Sequence, residues 1–212
     1  AGAAHAMEAY WAAAAALRLP EGMPGESASP YICLSDFVKN WPGANAGSSS
    51  AEGGVATINR GPGSPGTQKA RFVLMISDGV DPYNGSTGIM NQDSPYVDTA
   101  IRDAQRAGVA VYSIYYTDSG RWGRGAAFSG QSYLSTLAEA TGGQDYYQGV
   151  GNPVSMKPFL AQFGHAVAET YVATFVANGG RDATRDLVRV KFVATNKAKL
   201  HAPTEVLPGN QE

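Results

Sequence analysis

The stretch "FVLMISDGVDPY", residues 72–83, decides how this chain is read. Five apolar residues, Phe72 to Ile76, run unbroken into Ser77-Asp78-Gly79. An uninterrupted apolar run of that length is the pattern of a β-strand covered on both faces, as in a parallel sheet; a strand with one wet face alternates instead. Open α/β sheets place ligands at the carboxyl ends of their strands. Asp78 therefore has two readings. It is a metal ligand, or it makes the turn through its own backbone amides. Asp81, just before Pro82, has the same two readings, with turn formation the simpler.

Downstream, the hydrophobic period switches back and forth. "QDSPYVDTAIRDAQRAG" (92–108) predicts a helix with Asp93 or Ser94 as N-cap, Pro95 in the first turn and Gly108 past the end. "VAVYSIYY" (109–116) predicts a second buried strand, "SYLSTLAEATGG" (132–143) a helix closing on glycine, and "DYYQ" a short third strand. Phe159, Leu160, Phe163 and Val167 mark an amphipathic helix over 155–169. This β-α-β-α-β-α order calls for a parallel sheet with right-handed crossovers. In "DLVRVKFVAT" (186–195) apolar and polar residues alternate, which predicts a half-exposed strand. Its expected antiparallel partner is "TYVATFVAN" (170–178), around Gly179-Gly180.

Upstream, an Ala-rich helix is expected from about His5 to Leu17, before Pro20. "YICLSDFVKNWP" (31–42) carries Leu34, Phe37, Val38 and Trp41 at helical spacing, with Ser35 as the candidate N-cap. Residues 43–67 are Gly, Ser, Pro and Ala with little to bury, a loop or insertion.

The totals exclude several classes. The chain has 212 residues, a formal net charge of −2 and only 16% charged residues, with no basic run of the kind nucleic-acid binders carry. No apolar run reaches the roughly 18 residues of a membrane span. A single cysteine, Cys33, rules out an internal disulfide and reads as a small buried hydrophobe. "GPGSPG" (61–66) matches Gly-x-Gly-x-x-Gly by letter, but it leads into a strand instead of opening a helix, so it is not a dinucleotide site. There is no Walker A sequence and no Gly-x-Ser-x-Gly elbow. "HAMEAYW" lacks His-Glu-x-x-His spacing, and neither His165 nor His201 sits in a context that names a nucleophile. The sequence offers no catalytic constellation. "NGST" (84–87) contains a glycosylation sequon and also reads as a polar turn.

"RFVLMISDG", the helix ending "AQRAGVAVYSIYY", and "YLSTLAEATGGQDYY" together resemble the second half of a von Willebrand factor type A domain. Residues 72–200, with "ALRLPEG" and "SPYICLSDFVKNWP", are similar to the acidobacterial subfamily of von Willebrand A-related proteins. The resemblance implies an α/β fold, a mainly parallel sheet flanked by helices with a C-terminal antiparallel hairpin. It divides the chain into a helical and Gly/Ser/Pro-rich region (1–69), an α/β core (70–169) and a hairpin with tail (170–212). It also implies non-covalent binding or assembly outside the cytoplasm, a setting that low charge and eleven tyrosines suit.

The family often works through a metal-ion-dependent adhesion site built from an Asp-x-Ser-x-Ser loop, a Thr from a second loop and the Asp of Ser/Thr-Asp-Gly. Only Ser77 and Asp78 match it here. The Asp-x-Ser-x-Ser loop has no counterpart, and its expected place lies ahead of residue 1. A hard divalent ion such as Mg2+, Mn2+ or Ca2+ takes about six oxygen ligands, so one carboxylate does not select it. Asp81 and Asp118, the latter ending the second strand in "YYTDSG", are the other candidate ligands. Tyr115, Tyr116 and Trp122 are candidates for an aromatic recognition surface, with core packing as the alternative.

Two functional expectations follow. The first is a non-enzymatic protein-binding or structural module that needs a partner, or copies of itself, to complete its sheet. The second is a metal-dependent adhesion domain using Asp78 with ligands from an absent segment or another chain.

Overall fold

The computed structural model describes residues 29–39, 70–81, 94–116, 123–148, 152–171, 173, 187–195 and 198–207. In chain order the elements are α1 (Pro30–Lys39), β1 (Arg71–Ser77), α2 (Pro95–Ala107), β2 (Val109–Tyr115), α3 (Gly123–Thr141), β3 (Asp145–Tyr146), α4 (Lys157–Ala168), β4 (Val188–Arg189) and β5 (Glu205–Val206). The fold is mixed α/β, with one three-stranded parallel sheet in the order β1-β2-β3 and a separate two-stranded antiparallel sheet, β4-β5. None of the described helices is long and apolar enough to cross a membrane.

Strand alternation sends successive side chains to opposite faces. Val73, Met75, Val109 and Val111 pack with Tyr31, Leu34 and Val38 of α1, Val97, Ala100 and Ala104 of α2, and Tyr133 and Leu137 of α3. Phe72, Leu74, Tyr112 and Ile114 turn the other way, onto Phe159 and Phe163 of α4. Here the rings form a chain, Tyr112 lying 5.1 Å from Phe163 and 6.4 Å from Tyr146. Three helices therefore cover one face and α4 the other.

Helix α2 obeys its sequence signals. Proline stands in its first turn, and Gly108 takes the left-handed conformation (φ 62°) that ends a helix, its N–H reaching the carbonyls of Ala104 and Gln105. Ser94 precedes the helix in extended conformation but makes no side-chain cap bond; its hydroxyl is committed elsewhere, as described below.

Two sequence expectations need correction, and one strand gains a partner the sequence did not name. Ser35 is not an N-cap. Helix α1 already begins at Pro30, and Ser35 lies mid-helix, its hydroxyl donating to Asp103 of α2, which also pairs with Lys39 at 2.9 Å. Helix α3 starts at Gly123, nine residues ahead of the expected Ser132, and Gly130 within these added turns lies against the loop after β1. The strand at Val188 pairs with Glu205–Val206, where the expected partner was 170–178. Of that expected partner, 170, 171 and 173 are not in a strand and the remainder lies outside the described residues, as do the expected helix at 5–17 and Trp41.

A tertiary anchor brings Glu205–Val206 to this strand. The Thr204 N–H donates to the Ala140 carbonyl at the end of α3 (3.0 Å), and the Gln105 amide of α2 donates to Ala140 O and Thr204 Oγ1. This ties residues 201–206 across the ends of two helices. The Val190 N–H then donates to Thr204 O (2.9 Å), so the strand docks on whatever the anchor presents.

Gly130 sits inside α3, where replacing Gly by Ala ordinarily gains about 1 kcal/mol of helix propensity. Here a Cβ would lie 2.1 Å from the Asp78 carbonyl oxygen. Gly130→Ala is expected to lower stability by about 3 kcal/mol, the upper part of the overpacking range, with the collision outweighing the propensity. Urea denaturation monitored by circular dichroism measures it, and a gain in midpoint would refute the contact.

Candidate functional site

The site grows out of the last residue of β1. The chain leaves the sheet at Ser77 and must turn at once under α3. Gly79 takes φ 67°, a region L-residues rarely adopt, and a Cβ there would lie 2.2 Å from the Gly130 carbonyl oxygen. The turn closes on its own side chains: the Gly79 N–H donates to Ser77 Oγ (3.0 Å) and the Val80 N–H to Asp78 Oδ1 (3.1 Å). Asp78 and Ser77 thus both serve the turn.

Two buried groups clamp the loop from outside. The Tyr31 hydroxyl, carried in by α1, donates to the Gly79 carbonyl at 2.6 Å. Burial foremost, then the nearby charge of Asp81, with Tyr133, Asp78 and Asp145 contributing, pushes the Tyr31 hydroxyl well above its ordinary pKa, so it remains a neutral donor. The Ser94 hydroxyl donates to Asp81 Oδ2 at 2.6 Å, and Asp81 is only 1% exposed. Asp81 is more than a turn former. It ties the loop to the residue that opens α2, and a carboxylate at the amino end of a helix is favoured by the helix dipole.

These oxygens are already engaged within the protein. Ser77 Oγ and Asp78 Oδ1 already accept loop amides, and Asp81 is buried against Ser94. Among the described residues no three His, Cys, Asp or Glu side chains come close enough to share an ion. The described residues do not assemble the oxygen set such an ion takes. Asp118 and Trp122 lie outside the described residues.

The aromatic candidates divide. Tyr115 is buried and belongs to the interior, whereas Tyr116 is half exposed, its N–H donating to the Ser77 carbonyl at 2.9 Å. Tyr146 is likewise buried and Tyr147 exposed. His165 of α4 faces Glu169 at 3.2 Å and His201 Nδ1 approaches the Gly143 carbonyl at 3.2 Å, so both described histidines have a local contact, and His5 lies outside the described residues. Cys33 is half buried, and burial, with Asp36, raises its thiol pKa, the opposite of an activated nucleophile.

The most exposed part of the sheet is β1 itself. β2 is buried almost throughout, but every residue of β1 is at least partly exposed, and Ile76 is 54% exposed. Among the described residues β1 is hydrogen-bonded to a strand on one side only. Because the Ser77 carbonyl accepts the Tyr116 amide, Ser77, Met75 and Val73 turn their backbone groups toward β2. Backbone groups alternate edges along a strand, so the N–H and C=O of Phe72, Leu74 and Ile76 face outward.

Sequence reading missed Tyr31, Gly130 and Ser94 as parts of this loop. A glycine within the helical stretch "FSGQSYLS" was the one available signal for close backbone approach. It also missed Asp145, which lines a recess of about 310 Å3 between α3 and β3 with Phe128, Gln131, Glu139 and Tyr147.

Comparison with protein-family models, curated proteins and solved structures gives no significant match.

Two predictions follow from the site. Asp145 Oδ1 accepts the Ser113 hydroxyl (2.7 Å), while Oδ2 is buried with no hydrogen-bond partner among the described residues. Burial chiefly, with help from Glu139 and against the bonds from Ser113 and the Tyr146 amide, raises the Asp145 pKa. The folded chain then holds a proton over a window in which the unfolded chain, with a pKa of about 3.9, has lost it, so stability falls as pH rises through that window. Asp145→Asn removes this fall. Its stability relative to wild type is expected to improve between pH 3 and neutrality by denaturant titration; a difference independent of pH contradicts the assignment. Separately, calorimetric titration with Mg2+, Mn2+ or Ca2+ is expected to give no saturable heat. Saturable binding abolished in Asp78→Ala would reinstate metal-dependent adhesion.

Proposed function

We propose that this chain is a non-enzymatic binding or structural module of von Willebrand A type, working outside the cytoplasm. Its working surface is the open edge of β1, which takes up a strand from a protein partner or from another copy. The observation that carries this is the disparity between sequence and burial in β1. Five consecutive apolar residues specify an interior strand, yet they occupy the edge of the described sheet.

The physics of an edge makes this a binding surface. Outward-facing N–H and C=O groups are a template for a further strand, and sheets that are not meant to pair protect such edges with charges, proline or bulges. β1 has none of these between Phe72 and Ile76. A strand added here would gain ladder hydrogen bonds from the main chain and bury apolar side chains on both faces, the mode called β-augmentation. The clamped loop at its carboxyl end keeps the edge rigid, which lowers the ordering cost of association.

The test is amide hydrogen exchange, resolved by residue, in the dilute chain. Val73, Met75 and Ser77 are expected to exchange slowly, and Phe72, Leu74 and Ile76 at least about tenfold faster. Equal protection of both sets at the lowest concentration would mean the edge is already occupied by the chain itself, and the reading fails.

A further inference from the structure

The strand that completes the edge has a determinable identity. We infer that it is β1 of a second copy, paired antiparallel about a two-fold axis through Leu74. The inference rests on the open-edge reading and narrows it to one occupant.

The outward-facing residues are Phe72, Leu74 and Ile76, a set symmetric about Leu74. In an antiparallel pair, two residues that face each other through outward backbone groups exchange both of their hydrogen bonds. With Leu74 opposite Leu74 of the second copy, Phe72 falls opposite Ile76 and Ile76 opposite Phe72. Every outward N–H and C=O over these residues then meets a partner. No residue is left over, and a one-residue slip would set outward groups against inward ones.

The side chains agree with this register. Directly opposed residues share a sheet face. Ile76, the most exposed residue of β1, is covered by Phe72 of the second copy, on the face that carries α4. Val73 and Met75 meet across the axis on the other face, where both are only partly buried. At each end Arg71 comes opposite the uncharged Ser77 of the second copy. Arg71 commits one donor to the Ala107 carbonyl (3.0 Å), leaving the rest of its five N–H groups. No like charges are brought together. A two-fold interface of this kind uses the same patch on both copies and closes after two, so the product is a dimer with a continuous six-stranded sheet, not a filament.

The full chain is tested by analytical ultracentrifugation from about 1 µM to about 1 mM, the range in which an edge pairing of modest strength dissociates. Hydrogen exchange is measured at both limits, together with isotope-filtered NMR on an equimolar mixture of labelled and unlabelled chain. Expected are a monomer–dimer equilibrium, slowing of the Phe72, Leu74 and Ile76 amides by at least about tenfold on dimerisation, and an intermolecular Hα–Hα contact between Val73 and Met75. Ile76→Lys, at a half-exposed position, is expected to weaken the dimer at least about tenfold while leaving the circular dichroism spectrum unchanged. A chain that stays monomeric throughout with fast edge amides overturns the second copy as occupant and leaves the open edge standing. Protected edge amides in a monomer overturn both. Self-association without the Val73–Met75 contact, or untouched by Ile76→Lys, places the interface elsewhere and overturns the inference.

Discussion

The close crossing of two glycines, Gly79 after β1 and Gly130 in α3, is the contact on which the rest of this structure depends. Backbone there approaches backbone at distances that leave no room for a Cβ on either side. The consequence is positional. Helix α3 is held down over the carboxyl end of β1, and the loop is pressed into a left-handed turn that Ser77 and Asp78 then satisfy. Tyr31 and the Asp81–Ser94 pair lock the same loop to α1 and α2. A single turn thus joins the three helices of one layer to one end of the sheet.

This arrangement changes the meaning of the acidic residues. A carboxylate at a strand end invites a metal reading, but geometry gives each a structural task first: Asp78 holds a loop amide, Asp81 holds Ser94, and Asp145 holds Ser113. What the clamped loop leaves available is not a cluster of oxygens but the flank of β1. The proposed function therefore shifts from the end of the strand to its side, where no strand among the described residues pairs with the outward main-chain groups.

Much of the fold was legible because local signals and burial agreed. The apolar runs at 72–76 and 109–115, the proline and glycine bounding α2, and the short "DYYQ" strand all specify their structure within a few residues of themselves. The misses have a common cause. The early turns of α3, "GRGAAFSG", are too glycine-rich to announce a helix and form one against the loop after β1. The pairing of β4 with Glu205–Val206 went unnamed because it depends on Thr204 and Gln105 gripping Ala140, contacts between residues up to 99 apart in sequence. Ser35 and Ser94 have the composition of caps, yet each gives its hydroxyl to a distant aspartate. For the site, the sequence located the loop and named Ser77, Asp78 and Asp81; an incomplete sheet was expected from the resemblance alone, and which residues of β1 turn outward is a property of the assembled sheet that no local pattern carries.

An open flank of β1 must be accessible to solvent, and accessibility is measured most directly by solvent paramagnetic relaxation. With an inert gadolinium chelate added to the dilute, isotopically labelled chain, the Phe72, Leu74 and Ile76 amide protons should relax strongly. Those of Val73 and Met75 should remain as shielded as the amides of β2. If all five are equally shielded, β1 is an interior strand of a sheet the chain completes for itself, and the open-edge account is wrong.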